Sequence, residues 1–190
     1  MMNRRSFIKS VGAIAGATAA PAFISSAFGA GHAKTQKIGC LFSSSGAMAN
    51  VEGRLNSVVD MAVAELNASG GVLGKTIETV ITDPASDWPL YAQNGRQLLL
   101  QEKCKALFGC WTSVSRKSVL PVVEQNDGLL YYPLHFEGED NSDSVVYMNS
   151  PPARSVLPAL GYMMLEDGGS ASRFYMFGSD YVWPRTLNTI

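Results

Sequence analysis

A chain of 190 residues with 15 lysines and arginines against 16 acids carries a net charge of −1, with no basic excess to draw it to nucleic acid. Three cysteines, Cys40, Cys104 and Cys110, form no disulfide framework, and no CxxC or Cys/His spacing suggests a metal site. The length is enough to bury one core and to begin a second.

Residues 1–33 read as an export signal. Arg4-Arg5 form a twin-arginine pair, Phe7-Ile8-Lys9 follow, and a weakly apolar Ala/Gly-rich stretch comes next. The run N-R-R-S-F-I-K resembles the twin-arginine translocation signal. Gly31-His32-Ala33 offers small residues to a signal peptidase, which places the mature start at Lys34; Ala27-Phe28-Gly29 is the weaker alternative. A membrane anchor would need about 20 strongly apolar residues, whereas Gly, Ala, Ser and Pro21 dominate here. Losing Arg4, Arg5 and Lys9 and no acid leaves a mature chain of about −4.

Beyond the signal, strands and helices alternate. Lys37–Phe42 is a short apolar run ending in the polar turn Ser43–Gly46. Apolar residues then recur in steps of three and four from Val51 to Leu66, the spacing of an amphipathic helix. Asn67-Ala68-Ser69-Gly70-Gly71 stops it. Thr76–Thr82 is β-branched and alternating, a second strand, followed by the loop Asp83–Asp87. Leu90–Glu102 reads as a helix weakened by Gly95, Lys105–Cys110 as the third strand, and Ser115–Asn126 as the third helix. Pro121 inside that helix predicts a late start or a kink. Gly128–Tyr132 and Ser144–Met148 are the fourth and fifth strands. After Asn149-Ser150-Pro151-Pro152, Ser155–Leu165 reads as a helix and Arg173–Phe177 as a strand. Cys104 and Cys110 flank the third strand, too far apart to bridge, so free buried thiols are expected.

Strands separated by helices of this length predict an α/β fold, a doubly wound parallel sheet in the order 2-1-3-4-5 covered on both faces. Ligands bind such sheets beyond the carboxyl ends of the strands, at the switch in strand order. The segments leaving those ends are Ser43–Gly46, Asp83–Trp88, Trp111–Ser113 and His135–Glu139, so polar and aromatic groups gather on one rim. No G-x-G-x-x-G follows the first strand, which disfavours a dinucleotide.

The segments GCWTSVSRKSVLPVVEQ, LLYYPLHFEG and FYMFGSDYVWPRTLN, with KIGCLFSSSGAMA and ELNASGGVLGKTIETVITDPASD, together resemble the urea and short-chain amide branch of the type I periplasmic binding proteins. Those are substrate-binding components of ABC importers, and the amide sensor of the amidase operon is a structural relative. The likeness runs from about Lys37 to Ile190. It implies two α/β lobes joined by a hinge, with 34–148 as the first lobe and 149–190 as the hinge crossing and start of a second, truncated lobe. It also implies a periplasmic protein without cofactor or catalysis. Such a protein hands a small ligand to an ABC permease in the inner membrane. A chain lacking most of the second lobe is expected to bind weakly by itself.

The same resemblance implies the site. Trp111 and Ser113, Tyr132, and Tyr181 and Trp183 match positions that face ligand in the family. His135 stands where relatives commonly carry glutamine or proline, a departure that bears on substrate choice. Urea and small amides are flat and neutral, with N–H donors and one carbonyl. Trp111 and Tyr132 can sandwich such a plane. Ser113, near a helix start, can donate to the carbonyl together with free backbone N–H groups. Either Glu137 or Asp180 can accept from the amide N–H. Thr112 and Ser44 on the rim complete the candidate set.

Plainer readings stand beside these. Trp111 can simply plug the sheet end, Ser113 can be an N-cap, and His135 can pack a loop. Arg116 and Lys117 read as a solvated helix face, and Glu137, Glu139 and Asp140 as a solubilising loop, with Glu137 the strongest ligand candidate of the three. Ser113, His135 and Asp180 are the residue types of a hydrolytic triad for an amide hydrolase, yet no G-x-S-x-G elbow presents the serine. A cytoplasmic amide-sensing domain and a branched-chain amino acid binding protein are the remaining alternatives.

Overall fold

The computed structural model describes residues 35–149 and 151–190. The export signal expected over residues 1–33 lies outside the described residues. Five parallel strands make one sheet: β1 (Gln36–Leu41), β2 (Ile77–Thr82), β3 (Leu107–Gly109), β4 (Leu130–Tyr132) and β5 (Val145–Tyr147). Their order is β2-β1-β3-β4-β5, the doubly wound order expected from the alternation of elements.

Between them run α1 (Ala49–Glu52), α2 (Leu55–Ala68), α3 (Trp88–Leu100) and α4 (Ser113–Gln125). The single first helix expected over Val51–Leu66 is two, because the chain turns at Gly53-Arg54. That turn frees the Glu52 carboxylate to accept from the Ser43 N–H at 2.7 Å and from the Tyr91 hydroxyl. Helix α2 ends as expected at the glycines: Gly70 and Gly71 take positive φ, and the Gly71 N–H reaches back to the Leu66 carbonyl at 2.9 Å. Helix α3 starts earlier than Leu90 because Asp87 caps it, accepting from the Leu90 N–H at 3.0 Å. Helix α4 also starts early, and it runs through Pro121 rather than beginning after it.

The core lies between the sheet and α3 and α4. Leu41, Leu107, Leu130 and Val145 from the strands meet Tyr91, Leu98, Val119 and Val123 from those helices. Burying each such side chain contributes about 1.5–3 kcal/mol. Cys40, Cys104 and Cys110 are free and buried, as the spacing implied. Burial pushes the Cys40 thiol up to about 12. The opposite face is less completely covered than the strand alternation predicts. Helix α2 lines an apolar groove there, and the stacked rings of Phe108 and Tyr131, 4.7 Å apart, lie on its other side.

Past the sheet, α5 (Pro152–Met164) and α6 (Val182–Leu187) are helical. The strand expected at Arg173–Phe177 does not form: those residues take no regular structure among the described residues. A strand exists only through a neighbour's N–H and C=O groups. Here Tyr175 and Phe177 are 90% and 88% exposed. Among the described residues no helix is long and apolar enough to cross a membrane.

Candidate functional site

The site begins where β3 stops. Gly109 passes so close to β1 that a Cβ on it would lie 2.4 Å from the Leu41 carbonyl oxygen. Only glycine allows that approach. Cys110 then adopts φ 66° while its N–H bonds the Leu41 carbonyl at 3.0 Å. This left-handed turn, costing a non-glycine residue of order 1 kcal/mol, swings Trp111 off the strand axis and onto the rim.

Thr112 caps α4. Its Oγ1 accepts from the Ser115 N–H at 3.0 Å, and the Ser115 hydroxyl accepts from the Thr112 N–H at 3.1 Å. Ser113 is therefore the first helical residue and not the cap that the sequence suggested. The N–H of Val114 donates to the Tyr181 hydroxyl at 3.2 Å, which ties the start of α6 to the start of α4. The Tyr132 hydroxyl donates to the Trp111 carbonyl at 3.1 Å.

Beside these contacts lies an open cavity of about 260 Å³ lined by Met48, Trp111, Thr112, Ser113, Tyr132, Leu134, His135, Tyr181 and Trp183. The structure thus brings together Trp111, Thr112, Ser113, Tyr132, His135, Tyr181 and Trp183 of the expected set. Met48 and Leu134 fall within the segments KIGCLFSSSGAMA and LLYYPLHFEG but were not singled out as site residues. His135 is exposed and meets the Trp183 ring edge-on, with centroids 5.8 Å apart. The two form a partition between this cavity and a neighbouring one of about 320 Å³ that includes Phe136, Asn149 and Ser155.

Three expected residues do not line the cavity. Ser44 is exposed, accepts from the Asn56 side chain at 3.2 Å, and gives its N–H to Asp83 at 2.9 Å. Asp180 is 81% exposed and paired with Arg185. Glu137 is fully buried directly behind Ser113, whose hydroxyl donates to it at 2.8 Å.

The larger correction concerns Arg116. The guanidinium read as part of a solvated helix face is completely buried. It pairs with Glu137 at 3.0 Å and with Asp140, and it lies over the Tyr132 ring, 4.8 Å from the centroid. Lys117, partly exposed, adds a 2.7 Å bond to Asp140 and sits 3.6 Å from Glu137. Asp140, read as part of a solubilising loop, is a member of this cluster; Glu139 remains exposed. A buried cation survives only with such partners.

The pKa values follow from the packing. Burial opposes the charge of Arg116, and Glu137 and Asp140 outweigh it, so its pKa rises. Burial likewise works against Asp140, but hydrogen bonds from Lys117 and Arg116 hold its carboxyl below the usual range. Burial pushes the Tyr132 phenol up to about 12 despite the nearby guanidinium. The cavity wall carries no carboxylate, lysine or arginine.

No triad forms. The Ser113 hydroxyl is bonded to Glu137, His135 meets Trp183, and Asp180 holds Arg185. Among the described residues no group of three or more His, Cys, Asp and Glu is placed to hold a metal ion.

The periplasmic binding protein domain family matches residues 36–190. The chain belongs to that family. Solved structures of similar fold include the branched-chain amino acid transporter substrate-binding protein LivJ of Streptococcus pneumoniae, in complex with isoleucine. The identity is 28% over 63% of this chain and 35% of that one, with a TM-score of 0.60. The leucine-binding protein LivK of Thermotoga maritima is 18% identical over 81% of this chain and 43% of its own, with a TM-score of 0.66. An ABC transporter solute-binding protein of R. palustris, in complex with 4-hydroxybenzoate, is 21% identical over 82% and 42%, with a TM-score of 0.67. The chain therefore spans less than half the length of these family members.

Proposed function

We propose that this family member is part of the solute-binding component of an ABC importer and takes urea or a short-chain amide without chemistry. It works in the periplasm, reached through a twin-arginine signal over residues 1–33, and delivers its ligand to a membrane permease. Residues 34–148 act as the first lobe and 149–190 as the hinge crossing and the start of a second. Closure between lobes traps the ligand.

The observation that carries the ligand class is a cavity wall without carboxylate, lysine or arginine among the described residues. Aromatic rings of Trp111, Tyr132, Tyr181 and Trp183 surround two hydroxyls in a space of about 260 Å³. An amino acid would bring an ammonium and a carboxylate, and each loses hydration on entry unless an opposite charge meets it. A flat, neutral amide asks only for ring faces and a few hydrogen bonds. The second reading, a branched-chain amino acid, is favoured by the likeness to the isoleucine complex at 28% identity.

Ligand-observed NMR titration of the purified chain with formamide, acetamide, urea, leucine and isoleucine decides between them. Trp111→Ala serves as the control. A saturable acetamide or urea response that falls at least about tenfold in the variant is expected, because a ring face and its buried area are lost. Response to leucine or isoleucine alone, or to none of the five, sinks the amide reading.

A further inference from the structure

We infer that Glu137 does not touch the ligand but sets the hydrogen-bond polarity of Ser113, making that hydroxyl an obligate acceptor that selects ligands presenting an N–H. This deepens the proposed site and rests on the cavity being where ligand binds. A serine hydroxyl has one proton and two lone pairs. Here the proton is directed at Glu137 Oε2, 2.8 Å away. The carboxylate cannot return the favour, since an ionised carboxylate has only acceptors. What Ser113 offers the cavity is lone pairs.

Cations face the other side of the carboxylate. Arg116 is fully buried and donates to the other oxygen, Glu137 Oε1, at 3.0 Å, and the Lys117 ammonium is 3.6 Å from the same oxygen. One oxygen thus faces cations and the other faces Ser113, and Glu137 has no exposed surface through which a ligand could reach it. The Arg116 guanidinium in turn packs on Tyr132, a wall of the cavity, so the cluster braces the ring and orients the hydroxyl together. A ligand carbonyl placed against Ser113 would oppose lone pair to lone pair. A ligand N–H placed there completes the chain N–H to Ser113 to Glu137, and adjacent bonds of that chain strengthen one another. Ser113 therefore receives the nitrogen end of an amide, the opposite of the role the sequence suggested for it.

The test compares acetamide with acetone, in which a methyl replaces the NH₂ at nearly the same size. The full chain is expected to prefer acetamide by about tenfold or more, the usual penalty for leaving a buried acceptor unmet. Both Ser113→Ala and Glu137→Gln should collapse that ratio, with the loss falling on acetamide. A merely structural role would weaken both ligands alike, so an unchanged ratio in Glu137→Gln overturns the inference. If Glu137→Gln does not fold, Arg116→Met/Glu137→Gln removes the buried charge with its partner and reads the same ratio. If the parent takes leucine and no amide, the amide reading fails. The inference is then judged by leucine against 4-methylpentanoate, its counterpart without the amino group. A ligand-free arm covers the remaining case: the Ser113 hydroxyl proton, held by Glu137, should give a slowly exchanging proton resonance that Glu137→Gln abolishes. Its absence from the parent protein overturns the donor direction.

Discussion

Residues 36–147 and residues 152–190 carry equally plain apolar patterns and end in opposite states. In the first region the short runs at Leu107–Gly109 and Leu130–Tyr132 are strands, because β1 and β5 flank them and α3 and α4 cover them. In the second, the run at Arg173–Phe177 has as strong a β composition and stays unpaired. Helix α5 likewise leaves Leu157, Leu160 and Met164 between 37% and 60% exposed. Among the described residues, the first region holds the paired Arg116 at no exposure and the second the paired Arg185 at 70%. An apolar pattern or an ion pair acquires energetic weight only from what encloses it.

Three substitution experiments would break or sharpen that contrast, each read by guanidinium unfolding or thermal melts. The largest difference is expected between the arginines. Arg116→Ala strands buried Glu137 and should cost about 3–5 kcal/mol, while Arg185→Ala should stay within about 0.5 kcal/mol because solvent screens its pair. Equal costs would mean that the guanidinium of Arg116 is not enclosed as described. Next come the leucines. Leu107→Ala, at a fully buried position, should cost about 2–5 kcal/mol through lost transfer energy and a residual cavity. Leu160→Ala should change stability by no more than about 0.5 kcal/mol.

The smallest effect is the pH dependence of two carboxyls that pull in opposite directions. Burial raises Glu52 above its ordinary value of 4.5, and bonds from Ser43 and Tyr91 offset only part of that. The folded protein then holds this proton more tightly than the unfolded chain. Its contribution is fully present below 4.5 and is lost as pH rises through the raised folded value. Asp140 lies below its ordinary 3.8. Its contribution is present above 3.8 and disappears as pH falls through the lowered folded value. Melts of Glu52→Gln between about pH 2 and 7 should lose the decline on the neutral side, and those of Asp140→Asn the decline on the acid side. Parallel profiles for parent and variants would show that neither group is coupled to folding.

The aromatic and hydroxyl residues of the site came from the family resemblance, whereas local pattern was enough for the five strands, the doubly wound sheet and the rim on which the site lies. Those features repeat every two or 3.6 residues, or are written in turn residues such as Gly109 and Gly70-Gly71, so a short window contains them. Tertiary structure alone decided which charges are enclosed. Arg116 meets Glu137 and Asp140 across 21 and 24 residues, and nothing at either place in the sequence distinguishes that pair from a solvated one. It also decided that Thr112 and not Ser113 caps α4, that Ser113 gives its proton to Glu137, and that Met48 and Leu134 complete the cavity. Periodicity is a property of neighbouring residues. The enclosure of a charge and the direction of a hydroxyl depend on elements that folding alone brings together.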